Sequence, residues 1–348
     1  MLKLVVMPQS TAKGERIRSF VLQNVDQHPR NIAQLTADRF DISRQATNKY
    51  LNALVENGIL LVEDKGKSKI YRIKTVEWDK AFQIVPELAE DVVWDNEIVS
   101  LLKAVSDDAM HIWNHGFTEM FNNAIDHSEG KTITVYASIS AATTEISLDD
   151  DGVGIFKKIQ TELNLPDERQ AALELAKGKF TTAPDKHSGE GIFFTSRMFD
   201  EFEILSNGIY LIHKCDEDDK WMIDRDKPFP GTTVRMKLEN DTDRSIEAIF
   251  NQFSSGDNHE FNKTVVPVKL AQYGDSRLVS RSQAKRLLVR FDQFETIVLD
   301  FADVDSVGQA FADEIFRVFQ KQHPNINLSF VNATKSVENM VRRAKARK

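Results

Sequence analysis

The sequence FTEMFNNAIDHS, residues 117–128, determines how the rest of the chain is interpreted. Glu119 and Asn123 lie four residues apart, so on a helix they stand one above the other on the same face. Asp126 and His127 continue that face one turn later, and the interleaved apolar residues form a set that would face a core. An amide oxygen can ligate Mg2+ and a carboxylate can orient a water, so this face suits a site for a metal-bound nucleotide.

Two glycine pairs and a further glycine follow this helix. A strand-like run ends in DDGVGI, residues 150–155, HSGEGI at residues 187–192 opens another helical pattern, and GTTVRMK at residues 231–237 begins a strand. The chain thus contains, in order, a helix with E-x-x-x-N, a strand with D-x-G-x-G, a G-x-G before a helix, and a last strand. This series resembles the GHKL ATP-binding fold. That family includes DNA gyrase, heat-shock chaperone ATPases, mismatch-repair ATPases, histidine kinases and bacterial anti-sigma-factor kinases. The resemblance covers residues 92–238.

The resemblance implies a role for each motif residue. Glu119 would be the general base, Asn123 would hold Mg2+, and Asp150 would accept the adenine amino hydrogen. Gly152 and Gly154 would let the backbone approach the ring, since glycine has no side chain to obstruct it. The other implied ATP-binding residues are Asp126, Lys179, His187, Ser188, Gly189 and Gly191 near the phosphates, and Thr232 or Thr233 at the last strand. Taken singly, each motif also fits a solvated helix face or an acidic turn.

Among these families, the local sequence is most similar to that of the anti-sigma-factor kinases. Their S-G-M-G-F run matches SGEGI at residues 188–192, which leads into a helix ending in Met198, Phe199 and Asp200. The arginine that precedes Ser-Gly in that group is replaced by His187, a weaker clamp for a γ-phosphate because imidazole is mostly neutral at pH 7. This departure counts against protein kinase chemistry.

The composition predicts a cytoplasmic protein with room for two or three domains. The chain has 348 residues, 41% hydrophobic and 28% charged, which is ordinary for a globular protein. A single cysteine, Cys215, excludes an intrachain disulfide and a cysteine-based zinc cluster. No apolar run approaches the ~20 residues that span a membrane. Residues 1–75 contain 13 Lys and Arg against seven Asp and Glu, which is a net charge of +6. Because the whole chain has a net charge of −8, the other 273 residues carry a net charge of −14.

The basic segment 1–75 shows three helical patterns followed by two alternating runs around DKGKSK at residues 64–69. This order resembles a winged helix-turn-helix, in which the third helix enters the major groove and the wing meets phosphates. Ser43 is a suitable N-cap for the third helix. The predicted DNA-binding residues are Arg44, Gln45, Thr47, Asn48 and Lys49 on that helix, and Lys65, Lys67 and Lys69 on the wing. The alternative is a module that contacts only proteins.

The C-terminal segment alternates strands and helices, which indicates a small α/β sandwich. IVLDFADV, residues 297–304, resembles the central strand of STAS domains, and the whole segment resembles a bacterial STAS-like domain of unknown function. The helix start that carries a phosphorylatable serine in STAS antagonists aligns with Gly308, which has no hydroxyl, and Ser306 is out of register.

The sequence therefore predicts a multidomain α+β protein. Its parts are a winged helix-turn-helix at 1–75, a helical connector at 76–95, a GHKL (Bergerat) α/β sandwich at 96–239, a linker at 240–263 with one short apolar helix near 246–253, and a STAS-like domain at 264–348. The leading hypothesis is an ATP- and Mg2+-dependent, DNA-binding regulator that hydrolyses ATP slowly. The alternatives are a serine/threonine protein kinase in partner switching and an ATP-driven clamp that dimerises on nucleic acid. A protein partner would bind the STAS-like domain.

Overall fold

The computed structural model is a multidomain protein of mixed α and β structure. It describes residues 11–64, 69–103, 105–180, 189–215, 220–225, 229–255, 260–272 and 277–346. Of the predicted site residues, Lys65, Lys67, His187 and Ser188 lie outside these ranges.

The N-terminal unit consists of three helices and an antiparallel hairpin. The elements are α1 (Ala12–Asn24), α2 (Ile32–Phe40), α3 (Arg44–Glu56), β1 (Leu60–Asp64) and β2 (Lys69–Ile73). The Ser43 hydroxyl accepts a hydrogen bond from the Ala46 N–H at 3.1 Å, which satisfies one of the unpaired donors at the start of α3. Buried side chains of the helices and the hairpin form a core separate from that of the rest of the chain. The predicted order of elements is confirmed here.

The predicted helical connector is wrong in its first half. Residues Val76–Gln83 form strand β3, which pairs antiparallel with β4 (Thr132–Ile139). Trp78 and Phe82 alternate with exposed polar residues and pack against the central core, as expected for an edge strand with one covered face. Helix α4 (Glu90–Val93) and a π-helical turn (Trp94–Ile98) follow.

The central unit is an antiparallel sheet covered by helices on one face. Its described strands run in the order β3-β4-β5-β9-β6-β7-β8. The strands after β4 are β5 (Thr143–Asp150), β6 (Glu201–Ser206), β7 (Ile209–Lys214), β8 (Lys220–Arg225) and β9 (Thr232–Glu239). The covering helices are α5 (Asp107–His127), α6 (Ile155–Glu162), α7 (Glu168–Lys177) and α8 (Gly191–Met198). Apolar side chains at every second strand position face these helices, which is the pattern of a sheet with one buried face.

Two short strands, β10 (Ser254–Ser255) and β11 (Glu260–Phe261), pair antiparallel ahead of the C-terminal unit. The C-terminal unit contains a parallel sheet in the order β12-β13-β14. Its elements are β12 (Lys263–Pro267), α10 (Arg281–Leu288), β13 (Thr296–Asp300), α11 (Gln309–Asp313), a π-helical turn (Glu314–Phe319), α12 (Gln320–Gln322), β14 (Asn327–Val331) and α13 (Lys335–Lys345). The predicted alternation of strands and helices is confirmed.

The predicted linker is packed, and it joins the central and C-terminal units into a shared core. Its helix, α9 (Ile246–Phe253), is confirmed, and its Phe253 ring lies edge-on 5.0 Å from the ring of Phe193 on α8. Helix α7 is buried from Gln170 to Lys177, including the charged residues Glu174 and Lys177, because the helices of the central unit cover one side and the C-terminal unit covers the other. In the described ranges, no helix is both long and apolar enough to cross a membrane.

Candidate functional site

A cavity of about 400 Å³ lies between α5, the ends of β5 and β9, and the helices α6 to α8. It is lined by His115, Glu119, Met120, Asn123, Ala124, His127, Ser128, Leu148, Asp150, Ile155, Lys158, Ile159, Leu175, Phe180, Gly189, Glu190, Gly191, Ile192, Phe194, Thr232, Val234 and Phe250. Six residues of the predicted ATP site are in this set: Glu119, Asn123, Asp150, Gly189, Gly191 and Thr232. Ligand cavities usually measure ~300–1,000 Å³.

Helix α5 presents four polar side chains to the cavity at a spacing of four residues: His115, Glu119, Asn123 and His127. The helix starts at Ser106, whose hydroxyl accepts a hydrogen bond from the Ala109 N–H at 3.2 Å. Apolar side chains on its other faces are buried in the core, so the polar stripe has a fixed direction. Asp126 does not line the cavity and is exposed, because the step of four from Asn123 reaches His127 instead.

Asp150 and Thr232 lie opposite each other on the paired strands β5 and β9. Asp150 Oδ1 accepts hydrogen bonds from the N–H groups of Gly152 at 2.9 Å and Thr232 at 3.2 Å. Burial raises the pKa of the Asp150 carboxyl, and the hydrogen bonds from Gly152 and Thr232 oppose that rise. Two backbone hydrogen bonds therefore fix the orientation of this carboxylate, which is a hydrogen-bond acceptor in the cavity wall. Thr233 faces the other side of the sheet, where it hydrogen-bonds Asp149, so Thr232 is the threonine that reaches the cavity.

Gly152 and Gly154 do not line the cavity, and protein atoms fill the space beside both. A Cβ on Gly152 would lie 2.0 Å from the backbone oxygen of Ser128, at the end of α5. A Cβ on Gly154 would lie 2.6 Å from the Ser206 hydroxyl, and Gly154 has a φ of +86°, which favours glycine. The predicted approach of an adenine ring is therefore not what requires these glycines; the packing of this turn requires them.

The second glycine pair closes the cavity beside Glu119. The Gly189 carbonyl accepts a hydrogen bond from the Phe180 N–H at 3.1 Å. Gly191 is the first residue of α8, and a Cβ there would lie 2.2 Å from Glu119 Oε2. The predicted general base and the predicted phosphate loop are thus in direct contact.

Lys179 does not line the cavity. Its Nζ donates to the Gln293 carbonyl at 3.1 Å and lies 5.7 Å and 5.3 Å from the ring centroids of Phe261 and Phe294. The C-terminal unit therefore holds this ammonium group through a hydrogen bond and two aromatic faces. A phosphate-binding role for Lys179 does not fit this position.

The cavity residues that were not among the predicted site residues include His115, Lys158 and Phe250. His115 Nε2 is buried and has no hydrogen-bond partner in the part of the chain that the structure describes. Burial lowers the pKa of His115, and the nearby Glu119 carboxylate opposes that change. The spacing of four residues before Glu119 could have identified His115, whereas nothing in the sequence around Phe250 indicates that it reaches a site that includes residues as distant as Glu119.

Lys158 brings a positive charge to the same cavity. Its Nζ donates to the His127 carbonyl at 2.9 Å and to Glu129 Oε1 at 2.9 Å, and its side chain is 16% exposed. The described residues contain no group of three or more His, Cys, Asp or Glu side chains placed to hold a metal ion. A Mg2+ ion at Asn123 would accordingly need phosphate and water oxygens to complete its octahedral shell, which is its usual mode with nucleotides.

Helix α3 presents polar residues on its outer side, as predicted for DNA binding. The exposed members of the predicted set are Arg44, Gln45, Asn48 and Lys49 on α3, and Lys69 on β2. Thr47 was wrongly placed on this face: it is fully buried, and its hydroxyl lies 3.5 Å from the Ser43 carbonyl. It falls on the apolar stripe one turn before Leu51.

Comparison with known families assigns part of the C-terminal unit. Residues 283–338 match the family model of a STAS-like domain of unknown function, DUF4325. This confirms the predicted STAS-like domain over the stretch from α10 into α13. No curated protein matches the chain.

Proposed function

We propose that the central unit is a GHKL-type domain that binds ATP with Mg2+ in the cavity at Glu119. One observation carries the proposal. Residues from four separate stretches that carry the sequence motifs, near positions 119, 150, 190 and 232, line one cavity. Convergence of distant polar groups on one concave site is the usual mark of a binding site.

Asp150 and Thr232 form the base-binding end of the cavity. The carboxylate of Asp150 is held by two backbone N–H groups and would accept a hydrogen bond from the adenine amino group. Thr232 Oγ1 accepts a hydrogen bond from the Ile155 N–H at 3.0 Å, which ties the last strand to the turn after β5. A held acceptor selects adenine over guanine, because guanine carries a carbonyl at the same ring position.

Asn123 and Glu119 form the phosphate end. The Asn123 amide oxygen would contribute one ligand to Mg2+, which supplies charge neutralisation for the phosphates. Glu119 Oε2 lies against Gly191 at the start of α8, so this carboxylate stands where the N-terminus of that helix meets the cavity. Glu119 would orient an attacking water and take its proton.

The N-terminal unit would be the DNA-binding output as a winged helix-turn-helix. Exposed donors at Arg44, Gln45, Asn48 and Lys49 share the outer side of α3, the position that reads bases in helix-turn-helix proteins. The net charge of +6 for residues 1–75 supports contact with phosphates.

ATP binding and hydrolysis with Mg2+ test the central proposal. Glu119→Ala should bind ATP without turnover, and Asn123→Ala should lose the Mg2+-dependent part of the affinity. Asp126→Ala is the matched control, because it removes a carboxylate from the same helix outside the cavity; it should behave as wild type. Absence of ATP binding by wild type would reject the proposal. Transfer of labelled phosphate to a protein would favour the kinase alternative.

DNA binding is tested separately by the salt dependence of affinity. Replacement of both Arg44 and Lys49 by alanine should weaken DNA binding. The slope of log affinity against log salt concentration should fall in magnitude by about one for each phosphate contact removed. Lys13→Ala removes an exposed charge from α1 and is the control. Equal affinity of the double variant and the control would reject α3 as the DNA contact.

A further inference from the structure

The cavity wall is held from outside the central unit by Arg290, which follows α10 in the STAS-like region. Arg290 Nη2 lies within hydrogen-bond distance of the carbonyl oxygens of Gly178 (3.1 Å) and Lys179, and of Gln293 Oε1 (3.0 Å). Its guanidinium carbon lies 5.3 Å from the ring centroid of Phe180. Only 10% of its side chain is exposed. One buried side chain thus contacts three consecutive residues, 178–180.

These three residues connect directly to the cavity. Phe180 lines it, and the Phe180 N–H donates to the carbonyl of Gly189 in the same wall. Gly178 has a φ of +86°, and a Cβ there would lie 2.7 Å from the Phe193 ring and 2.8 Å from the Phe261 ring. The segment is packed on both sides, so a displacement of residues 178–180 would move the wall that faces Glu119.

A buried charge cluster fixes Arg290 to α7. Lys177 Nζ donates to Glu174 Oε1 at 2.7 Å and to the Val289 carbonyl at 3.0 Å, and Arg290 Nη1 lies 3.6 Å from Glu174 Oε2. The side chains of Glu174 and Lys177 are fully buried. Burial lowers the pKa values of both Lys177 and Arg290, and Glu174 opposes this.

The cluster belongs jointly to the two units and is complete only when they are docked. Gln170 adds a further link, since its Nε2 donates to Glu174 Oε1 at 2.8 Å and to the Arg286 carbonyl at 2.9 Å. Removal of one partner from a buried ion pair leaves an uncompensated charge, which strongly disfavours the broken state. Packed interfaces generally switch between discrete arrangements rather than deform continuously, and transmission between sites depends on that behaviour.

We propose that the STAS-like domain sets the nucleotide affinity of the cavity, with Arg290 as the positioning residue that holds residues 178–180. This inference rests on the proposed ATP site. Docking of the STAS-like domain favours the cavity shape that binds ATP, and loss of the Arg290 contacts releases the wall. By linkage, ATP binding must in turn stabilise docking by the same factor.

The test compares full-length wild type with Arg290→Ala, Arg290→Lys and the control Lys285→Ala. Lys285 lies on α10, its side chain is 69% exposed, and its Nζ lies 4.0 Å from Glu314 Oε1. Affinity for a non-hydrolysable ATP analogue with Mg2+ is the first measurement. Hydrogen–deuterium exchange of residues 286–294, with and without that analogue, is the second. Thermal unfolding shows which variants are folded.

Arg290→Ala should bind the analogue at least about five-fold more weakly than wild type, the lower end of typical coupling between sites. The analogue should slow exchange at residues 286–294 in wild type and in Lys285→Ala, but not in Arg290→Ala. Arg290→Lys keeps the charge without the planar fork that bridges several oxygens, so it should lose the coupling while remaining folded; it decides the question if Arg290→Ala does not fold.

Two failures are distinguishable. If wild type does not bind the analogue, the ATP site is rejected and the coupling with it. If wild type binds and both Arg290 variants match Lys285→Ala in affinity and in exchange, the coupling alone is overturned and the ATP site stands.

Discussion

Substitution of Gly191 by alanine should displace the carboxylate of Glu119 with little change in the fold. The added Cβ would lie 2.2 Å from Glu119 Oε2, whereas its next neighbour, Glu119 Cδ, is 3.1 Å away. Ordinary contact begins near 3.4 Å, so the oxygen must retreat by roughly 1 Å. Gly191 has no positive φ, and the atom that must move is the end of a flexible side chain, so the backbone is not strained.

The expected effect is a loss of turnover with retained affinity. Displacement of a catalytic group by about 1 Å can cost ~100-fold in rate, equivalent to about 2.7 kcal/mol of transition-state stabilisation. ATP affinity should change little, because Gly191→Ala leaves Asp150, Thr232 and Asn123 in place. Steady-state hydrolysis and equilibrium binding of ATP, measured on the same preparation, separate the two effects.

A double-mutant cycle identifies the path of the effect. If Gly191→Ala acts through Glu119, adding it to Glu119→Ala should cause no further loss, because the displaced group is already absent. Additive losses would show that Gly191 acts elsewhere. Hydrolysis by Gly191→Ala within about three-fold of wild type, or a wild type that binds ATP without turning it over, would refute the assignment of Glu119 as the base.

Three further outcomes are expected. Asp150→Asn should weaken ATP binding by ~10–100-fold, because it replaces one carboxylate oxygen by an NH2 group that cannot accept the adenine amino hydrogen, a change worth about 1–3 kcal/mol. Asp149→Asn should bind ATP as wild type does, because the Asp149 side chain pairs with Thr233 on the other face of the sheet. Equal losses would contradict the assigned faces. Gly152→Ala should destabilise the fold by about 1–3 kcal/mol, because the added Cβ would lie 2.0 Å from the backbone oxygen of Ser128. Urea unfolding should show a lower midpoint, and an unchanged midpoint would contradict this packing. Burial holds the pKa of His115 below its ordinary value of 6.5, so the unfolded chain takes up this proton first on acidification. Stability contributed by neutral His115 is then present above pH 6.5 and lost below it, and His115→Gln should lose less stability than wild type between about pH 7.5 and 5.5; equal losses would show that other groups carry the dependence.

Local pattern was enough for the parts of the fold and site that depend on neighbours in sequence. The stripe of Glu119 and Asn123 follows from helical geometry, and the placement of Asp150 follows from a strand that ends in an acidic turn. The alternation of apolar and polar residues from Val76 to Gln83 also indicated a strand, but the aromatic residues Trp78, Phe82 and Trp94 amid acids led to the prediction of a packed helical connector instead. An exposed edge strand carries such charges.

Contacts between distant parts of the chain were beyond the reach of local pattern. Lys179 stands beside the glycine loop in sequence, yet its partner Gln293 is 114 residues away, so only the packed C-terminal unit shows its direction. Phe250 reaches the cavity because α9 packs on α8, where its ring lies 4.1 Å from that of Phe194. Thr47 is polar, and only the register of α3 against its core reveals its burial.

The connection between the N-terminal hairpin and the central sheet is very short. Only Lys74 and Thr75 separate β2 from β3, and the Lys74 N–H donates back to the Ile59 carbonyl at 2.9 Å. Gln23 Nε2 adds a second attachment, 3.5 Å from Glu239 Oε2 at the end of β9. A long flexible linker would let the N-terminal unit keep its orientation when the sheet edge twists. A connection of two residues leaves the hairpin little freedom to turn independently of β3. A rotation of the sheet edge would therefore carry the N-terminal unit, including α3, with it.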